Sequence, residues 1–209
     1  MTRLGNTIGA STCGCIMAHV LNVWITDYKG YNPKCILLYQ THQATMLTGC
    51  AFVANMFDKL SHTCAILTTS MNVTNSVAYF MALPFILAGP LSDQTGMIKQ
   101  SPSQYMMHIL PTVASIVLCM NSPLPVTHLA RRTSQSFSVA SAGSYLLCSK
   151  LYHDCNGEGR YVRDISVERR LVVPYCALLY SVTRIVLRVF TGPRNVKLWE
   201  RQTRGNALP

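Results

Sequence analysis

Charged side chains are scarce in this sequence. Lys and Arg number 18 and Asp and Glu 8, a charged share of 12%, about half of the ~25% usual in globular domains. Glutamate appears three times and lysine six, although both rank among the commonest residues of soluble proteins. A soluble fold covers itself with such groups, so their shortage argues against an ordinary water-facing surface. The signatures of the common enzyme classes are also missing. There is no G-x-S-x-G, no G-x-x-x-x-G-K-[ST], no H-E-x-x-H and no complete G-x-G-x-x-G, the patterns that carry nucleophile elbows, phosphate cradles, zinc sites and dinucleotide turns. Only Asp27, Asp58 and Asp93 precede Asp154 among the acids, so a pair of carboxylates acting as acid and base is hard to stage. No catalytic motif is found, so no enzyme class is assigned and no catalytic residue or cofactor is nominated, while a Ser, Cys or His site assembled from distant positions stays open.

Nine cysteines, at 13, 15, 35, 50, 64, 119, 148, 155 and 176, form no C-x-x-C pair. An odd and scattered set is not a disulfide framework. It reads as small apolar side chains in a reducing compartment or a bilayer. Cys148, His153 and Cys155, and likewise Cys13, Cys15 and His19, each offer at most three zinc ligands without the paired spacing of a structural zinc site.

What the sequence does have is long uncharged runs, at 4–26, 35–57, 60–92 and 100–130. Each exceeds the ~20 residues that cross a bilayer as a helix, and the charges collect between them. On a soluble helix a charged face recurs every turn or so. The runs predict a mainly α-helical membrane protein with about four transmembrane helices, at 8–26, 35–57, 73–91 and 105–121. Polar residues interrupt them: His19 and Asn22 in the first, and Gln40, His42 and Gln43 in the second. Pro84 and Pro111 are expected to kink the third and fourth. The first run reads as a span rather than a cleaved signal. Mean hydropathy is only +0.23, modest for such a protein.

Charge divides the chain near residue 130. Residues 1–130 hold five basic and three acidic residues, a net of +2, and residues 131–209 hold 13 and 5, a net of +8. The bias of basic residues towards the cytoplasm places the basic 131–209 region there. It also puts the sequon Asn72-Val73-Thr74 at the cytoplasmic edge of the third span, where it would stay unmodified. Within this region 133–149 reads as a Ser/Ala-rich linker running into a short helix. Residues 171–190 read as a membrane-surface helix with Arg184 and Arg188 on its polar face, as a strand pair broken near Pro174, or as a fifth span. The tail 192–209 is expected to be disordered. The partners implied are the lipid bilayer and, through the basic region, anionic lipid headgroups; no specific protein or nucleic-acid partner is assignable.

Two local patterns carry chemistry. Asp154-Cys155-Asn156-Gly157-Glu158-Gly159 resembles the first half of an EF-hand calcium loop. Asp154, Asn156 and Glu158 stand at positions 1, 3 and 5 and Gly159 at the sharp turn. Position 12 is Ile165, where a bidentate glutamate belongs, and the bland alternative is a polar Asn-Gly turn. Arg131-Arg132-Thr133-Ser134 suits a basophilic kinase, or a positive anchor after the last span. Three readings stay open: a multi-pass membrane protein, the product of a poorly selected reading frame with no stable fold, and a soluble basic protein with a degenerate calcium-type loop at 154–165.

Overall fold

Helices follow from what the runs contain. They are rich in Leu, Met and Ala, good helix formers, and they keep their helices despite Gly9, Gly14, Gly49, Pro84 and Pro111 inside them. The computed structural model describes residues 3–27, 33–57, 62–88, 102–120 and 130–191. Within them lie α1 (Arg3–Asp27), a 3-10 turn (Pro33–Leu38), α2 (Gln40–Met56), α3 (His62–Ala88), α4 (Pro102–Met120), α5 (Ala130–Asn156), α6 (Ile165–Arg170) and α7 (Val172–Thr191). No strand occurs among the described residues. α2, α3 and α4 contain no Asp, Glu, Lys or Arg at all.

Neighbouring helices run antiparallel. α1 packs on α2 through Gly9, where a Cβ would come 2.5 Å from the Phe52 ring, and through Asn55 Nδ2, which donates to Asn6 Oδ1 at 3.0 Å. α2 meets α3 at Asn72 and Thr48. α3 meets α4 at Thr69 and Ser115, and α7 closes on α3 through Tyr175 and Asn75. Apolar packing concentrates near the two ends of the bundle. At one end Ala51, Phe52, Ala65, Ile66, Leu118, Cys119, Val182 and Val186 join α2, α3, α4 and α7. Towards the other, Val20, Cys35, Ile36, Met107 and Tyr152 gather around the 3-10 turn.

The sequence runs and the helices coincide in part. Run 8–26 lies inside α1, and 105–121 matches α4 to within a residue at its C-terminal side. Run 35–57 is broken at Tyr39, where a 3-10 turn gives way to α2 without a side-chain cap. Run 73–91 is the second half of α3, which starts at His62 and continues through Pro84. The stretch 133–149, expected as a linker, belongs to the 27-residue α5. Its serines face inward at Ser138, Ser141 and Ser149, so Ser/Ala composition here marks close packing rather than a flexible joint. The tail 192–209 lies outside the described residues.

The helical stretch that combines membrane-crossing length with apolar character falls outside the four expected spans. Among the described residues one helical stretch, Ile165–Phe190, is long and apolar enough to cross a bilayer, with Tyr105–Met120 a shorter apolar helix. Residues 171–190 are therefore helical and not a strand pair. α6 and α7 run on nearly continuously through Leu171, and Leu179, Val182, Thr183 and Val186 are buried against the bundle.

Candidate functional site

Most of the charge among the described residues falls between 150 and 171, at the bundle end that carries the 3-10 turn. Two glycines and one aspartate set the path there. α5 stops because Gly157 takes φ +75°, a conformation strained for any side chain, and its N–H returns to His153 O at 2.8 Å. Gly159 is needed for space. A Cβ there would run into the Val162 carbonyl oxygen and lie 2.7 Å from Glu168 Oε2. Asp164 then caps α6, its Oδ1 accepting from Ser166 N at 2.7 Å. Hydrogen bonds from the Ser166 hydroxyl and backbone hold the Asp164 carboxyl below its ordinary pKa.

This turn delivers Arg160 and Glu168 into the interior. Arg160 Nε stands 3.3 Å from Glu168 Oε1, and both side chains are fully buried. The guanidinium lies 4.7 Å from the Tyr145 ring centre and 4.6 Å from that of Tyr161. It donates to the carbonyls of Leu38 and Tyr145, while Glu168 Oε2 accepts from Tyr161 N at 2.9 Å. Two further bonds tie the same loop to the start of α2. The Tyr39 hydroxyl donates to Arg160 O at 3.1 Å, and Gln40 N donates to the Tyr161 hydroxyl at 3.1 Å. Burial opposes the Arg160 charge, but the Tyr161 ring, the Glu168 carboxylate and the Tyr145 ring favour it, and the balance raises its pKa. Burial pushes the Tyr161 phenol up. The cluster thus fastens the 3-10 turn, α2, α5 and α6 together around one buried charge pair. Neither charge faces solvent, so the arrangement holds parts of the chain rather than presenting a reactive group.

A second polar feature runs between α2, α3 and α4. Asn72 Nδ2 donates to Thr48 Oγ1 at 2.8 Å, Thr69 Oγ1 to Ser115 O at 2.8 Å, and Ser76 Oγ to His108 O at 2.7 Å. Other hydroxyls turn back on their own helices: Thr45 bonds to Thr41 O and Ser70 to Ile66 O, which satisfies them without a partner helix. Further along, the ring of His108 stacks on Tyr79 at 3.9 Å. Gln40 Nε2, Thr74 Oγ1, Asn75 Nδ2, Tyr79 Oη and His108 Nδ1 are buried without a hydrogen-bond partner.

The residues singled out by sequence fall elsewhere. Asp154 and Asn156 sit on the last turn of α5 rather than in a loop. Asp154 pairs with Lys150 at 2.9 Å, Asn156 Nδ2 bonds to Tyr152 O, and Glu158 lies 3.7 Å from Arg163. Asp154 and Asn156 are thus helical, and Glu158 follows the positive-φ Gly157 just beyond the helix end. Cys148 is buried and accepts from Gln43 Nε2, Cys155 is exposed, and His153 faces Asp154. Cys13 is buried against α2, while Cys15 and His19 are exposed. No group of three or more metal-ligating side chains forms among the described residues. Asn72 of the sequon is buried, so the folded chain does not present it. Arg131–Ser134 begin α5, and their side chains lie outside the described residues. The Arg160–Glu168 cluster escaped the sequence reading, although Gly159 signals it, since a glycine is needed where a carboxylate approaches the backbone.

Comparison with known family models, with curated proteins and with solved structures finds no match.

Proposed function

We propose that the chain is a helical membrane protein, a bundle that uses lipid as its solvent, with α7 and other helices crossing the bilayer. One observation carries this reading: polarity is inverted along α4 and its neighbours. Met106, Ile109, Val113, Val117 and Met120 form a single outward stripe at helical spacing, with Val113 53% and Met120 69% exposed, while Thr69, Thr74 and Ser115 are 0% exposed. A water-soluble bundle arranges these the other way round. In a bilayer, apolar side chains face lipid, and Ser, Thr and Asn hydrogen-bond between helices. α5 and α7 add Val139, Leu147, Val173, Ile185 and Val189 to the exposed apolar set.

The partner on this reading is the lipid itself. Lys150, Arg163, Arg169 and Arg170 are exposed at the end that carries the Arg160–Glu168 cluster, a position suited to anionic headgroups. The buried cluster then acts as the clasp of that end. A crossing α7 also divides the basic region, since the chain leaves Thr191 at the opposite end of the bundle from α6.

A second reading, a chain without a settled fold, draws on the unpartnered Gln40, Thr74, Asn75, Tyr79 and His108 atoms, because settled folds leave few such groups. Flotation of the full-length tagged chain with membranes after an alkaline carbonate wash separates the two. Integral membrane protein floats with lipid. Material that stays in the dense load, as aggregate or as soluble protein, overturns the membrane reading.

A further inference from the structure

Nine thiols are spread through the chain, and two of them meet beside the buried clasp. Cys35 lies in the 3-10 turn, 1% exposed, packed among Val20, Ile36 and Tyr152. Its Sγ accepts from Asn156 Nδ2 at 3.5 Å, and the Cys155 thiol is a further hydrogen-bonding neighbour. Cys155 itself is exposed on the last turn of α5. One thiol is thus open to solvent, and the one behind it is shielded and within reach. We propose that Cys35 and Cys155 are a reversible disulfide site, oxidised by a small-molecule disulfide such as glutathione disulfide.

The exchange balances in two steps. The Cys155 thiolate attacks one sulfur of glutathione disulfide and expels a glutathione thiolate, leaving a mixed disulfide on Cys155. Cys35 then gives up its proton and attacks the Cys155 sulfur, expelling the second glutathione thiolate. Two protein thiols become one disulfide, and the two electrons reduce glutathione disulfide to two glutathiones. The order follows from access: burial shields Cys35 from the oxidant and pushes its thiol up from its ordinary pKa, so the exposed partner reacts first. Asn156 Nδ2 at the Cys35 sulfur supplies a donor that favours its thiolate in the second step.

The other neighbouring pair, Cys13 and Cys50, is also one buried and one exposed thiol, and it lies in the packing of α1 on α2, away from the Arg160–Glu168 cluster. A Cys35–Cys155 bond joins the 3-10 turn to the end of α5, the same elements that Arg160 ties through Leu38 and Tyr145. Oxidation therefore adds a covalent tie beside the ionic one.

The test uses the full chain in mild detergent, equilibrated at a series of reduced-to-oxidised glutathione ratios, alkylated, and measured by intact mass and protease mapping. The expected result is loss of two alkylatable thiols, from nine to seven. It comes with a linked peptide pair containing residues 35 and 155, reversed by excess reduced glutathione and absent in Cys155→Ala and Cys35→Ala. Cys148→Ser keeps the link. The wild-type map stands even if a variant folds poorly. A glutathione adduct that persists on Cys155 with Cys35 still free overturns the proposal, as does a link that maps to any other pair.

Discussion

Replacing Arg160 with methionine removes a buried cation and leaves the Glu168 carboxylate fully enclosed without its counter-ion, held by the Tyr161 backbone N–H. The donors to Leu38 O and Tyr145 O are lost as well, together with the guanidinium placed over two tyrosine rings. Breaking a buried pair by removing one partner costs about 3–5 kcal/mol, chiefly the stranded charge. At about 2–4 °C per kcal/mol for a chain of this size, the midpoint of thermal unfolding should fall by roughly 6–20 °C. The double variant Arg160→Met with Glu168→Leu leaves no stranded charge, and a hydrophobic replacement of a whole buried pair is often close to neutral. It should therefore recover most of the loss. Thermal unfolding of the purified chain in mild detergent, followed by near-ultraviolet circular dichroism, measures both. An Arg160→Met midpoint within about 2 °C of wild type, or a double variant no more stable than the single, would refute the clasp.

Gly159→Ala should weaken the same end, because its Cβ runs into Val162 O and the Glu168 carboxylate; the expected cost is about 1–3 kcal/mol, read as a lower midpoint in the same assay. On α1, Gly9→Ala meets the Phe52 ring at 2.5 Å and should destabilise, whereas Gly14→Ala finds nothing within 4 Å and should stabilise by about 0.8–1 kcal/mol through helix propensity. Equal effects at the two sites would contradict the α1–α2 packing. Asp164 gives a pH test. Its folded pKa is depressed, so its contribution is complete above the unfolded value of about 3.9 and is lost as pH falls through the folded value. The stability gap between wild type and Asp164→Ala should close on acidification below about pH 4, while Asp164→Asn, an uncharged cap, should show no such carboxylate-linked loss. Thr69→Val removes the bond to Ser115 O and should cost about 0.6 kcal/mol, and at most about 1.7, if the bundle lies in lipid.

Helicity was legible in the sequence because charge was absent for whole runs, and α1 and α4 lie close to the runs that forecast them. The boundaries of α2 and α3 were less legible. Uncharged runs say where charge is missing, while the break at Tyr39 and the start at His62 depend on chain path. α5 is longer than the short helix expected after a linker, because Ser138, Ser141 and Ser149 look like linker residues until close packing turns them inward. α7 was less legible because Val-rich sequence with Arg184 and Arg188 fits a helix or a strand pair, and its helix is set by packing on α3 and α5. The glycines at 157 and 159 stand out in the sequence, and in the fold they end a helix and admit a carboxylate, while Asp154 pairs with Lys150, Glu158 with Arg163, and Asn156 Nδ2 donates to Tyr152 O. The Arg160–Glu168 cluster joins residues from four elements, and its tyrosines sit at 39, 145 and 161, a separation no local pattern spans.

The inverted polarity of the bundle is tested most directly by labelling the chain in membranes with a photoreactive carbene probe dissolved in the lipid phase and mapping the modified residues by mass spectrometry. The account predicts label on the outward stripe Met106, Ile109, Val113, Val117 and Met120 and on Val173, Ile185 and Val189 of α7, with none on Thr69, Asn72 or Ser115. Label on the Ser, Thr and Asn face equal to that on the stripe, or no label on the stripe at all, would contradict it.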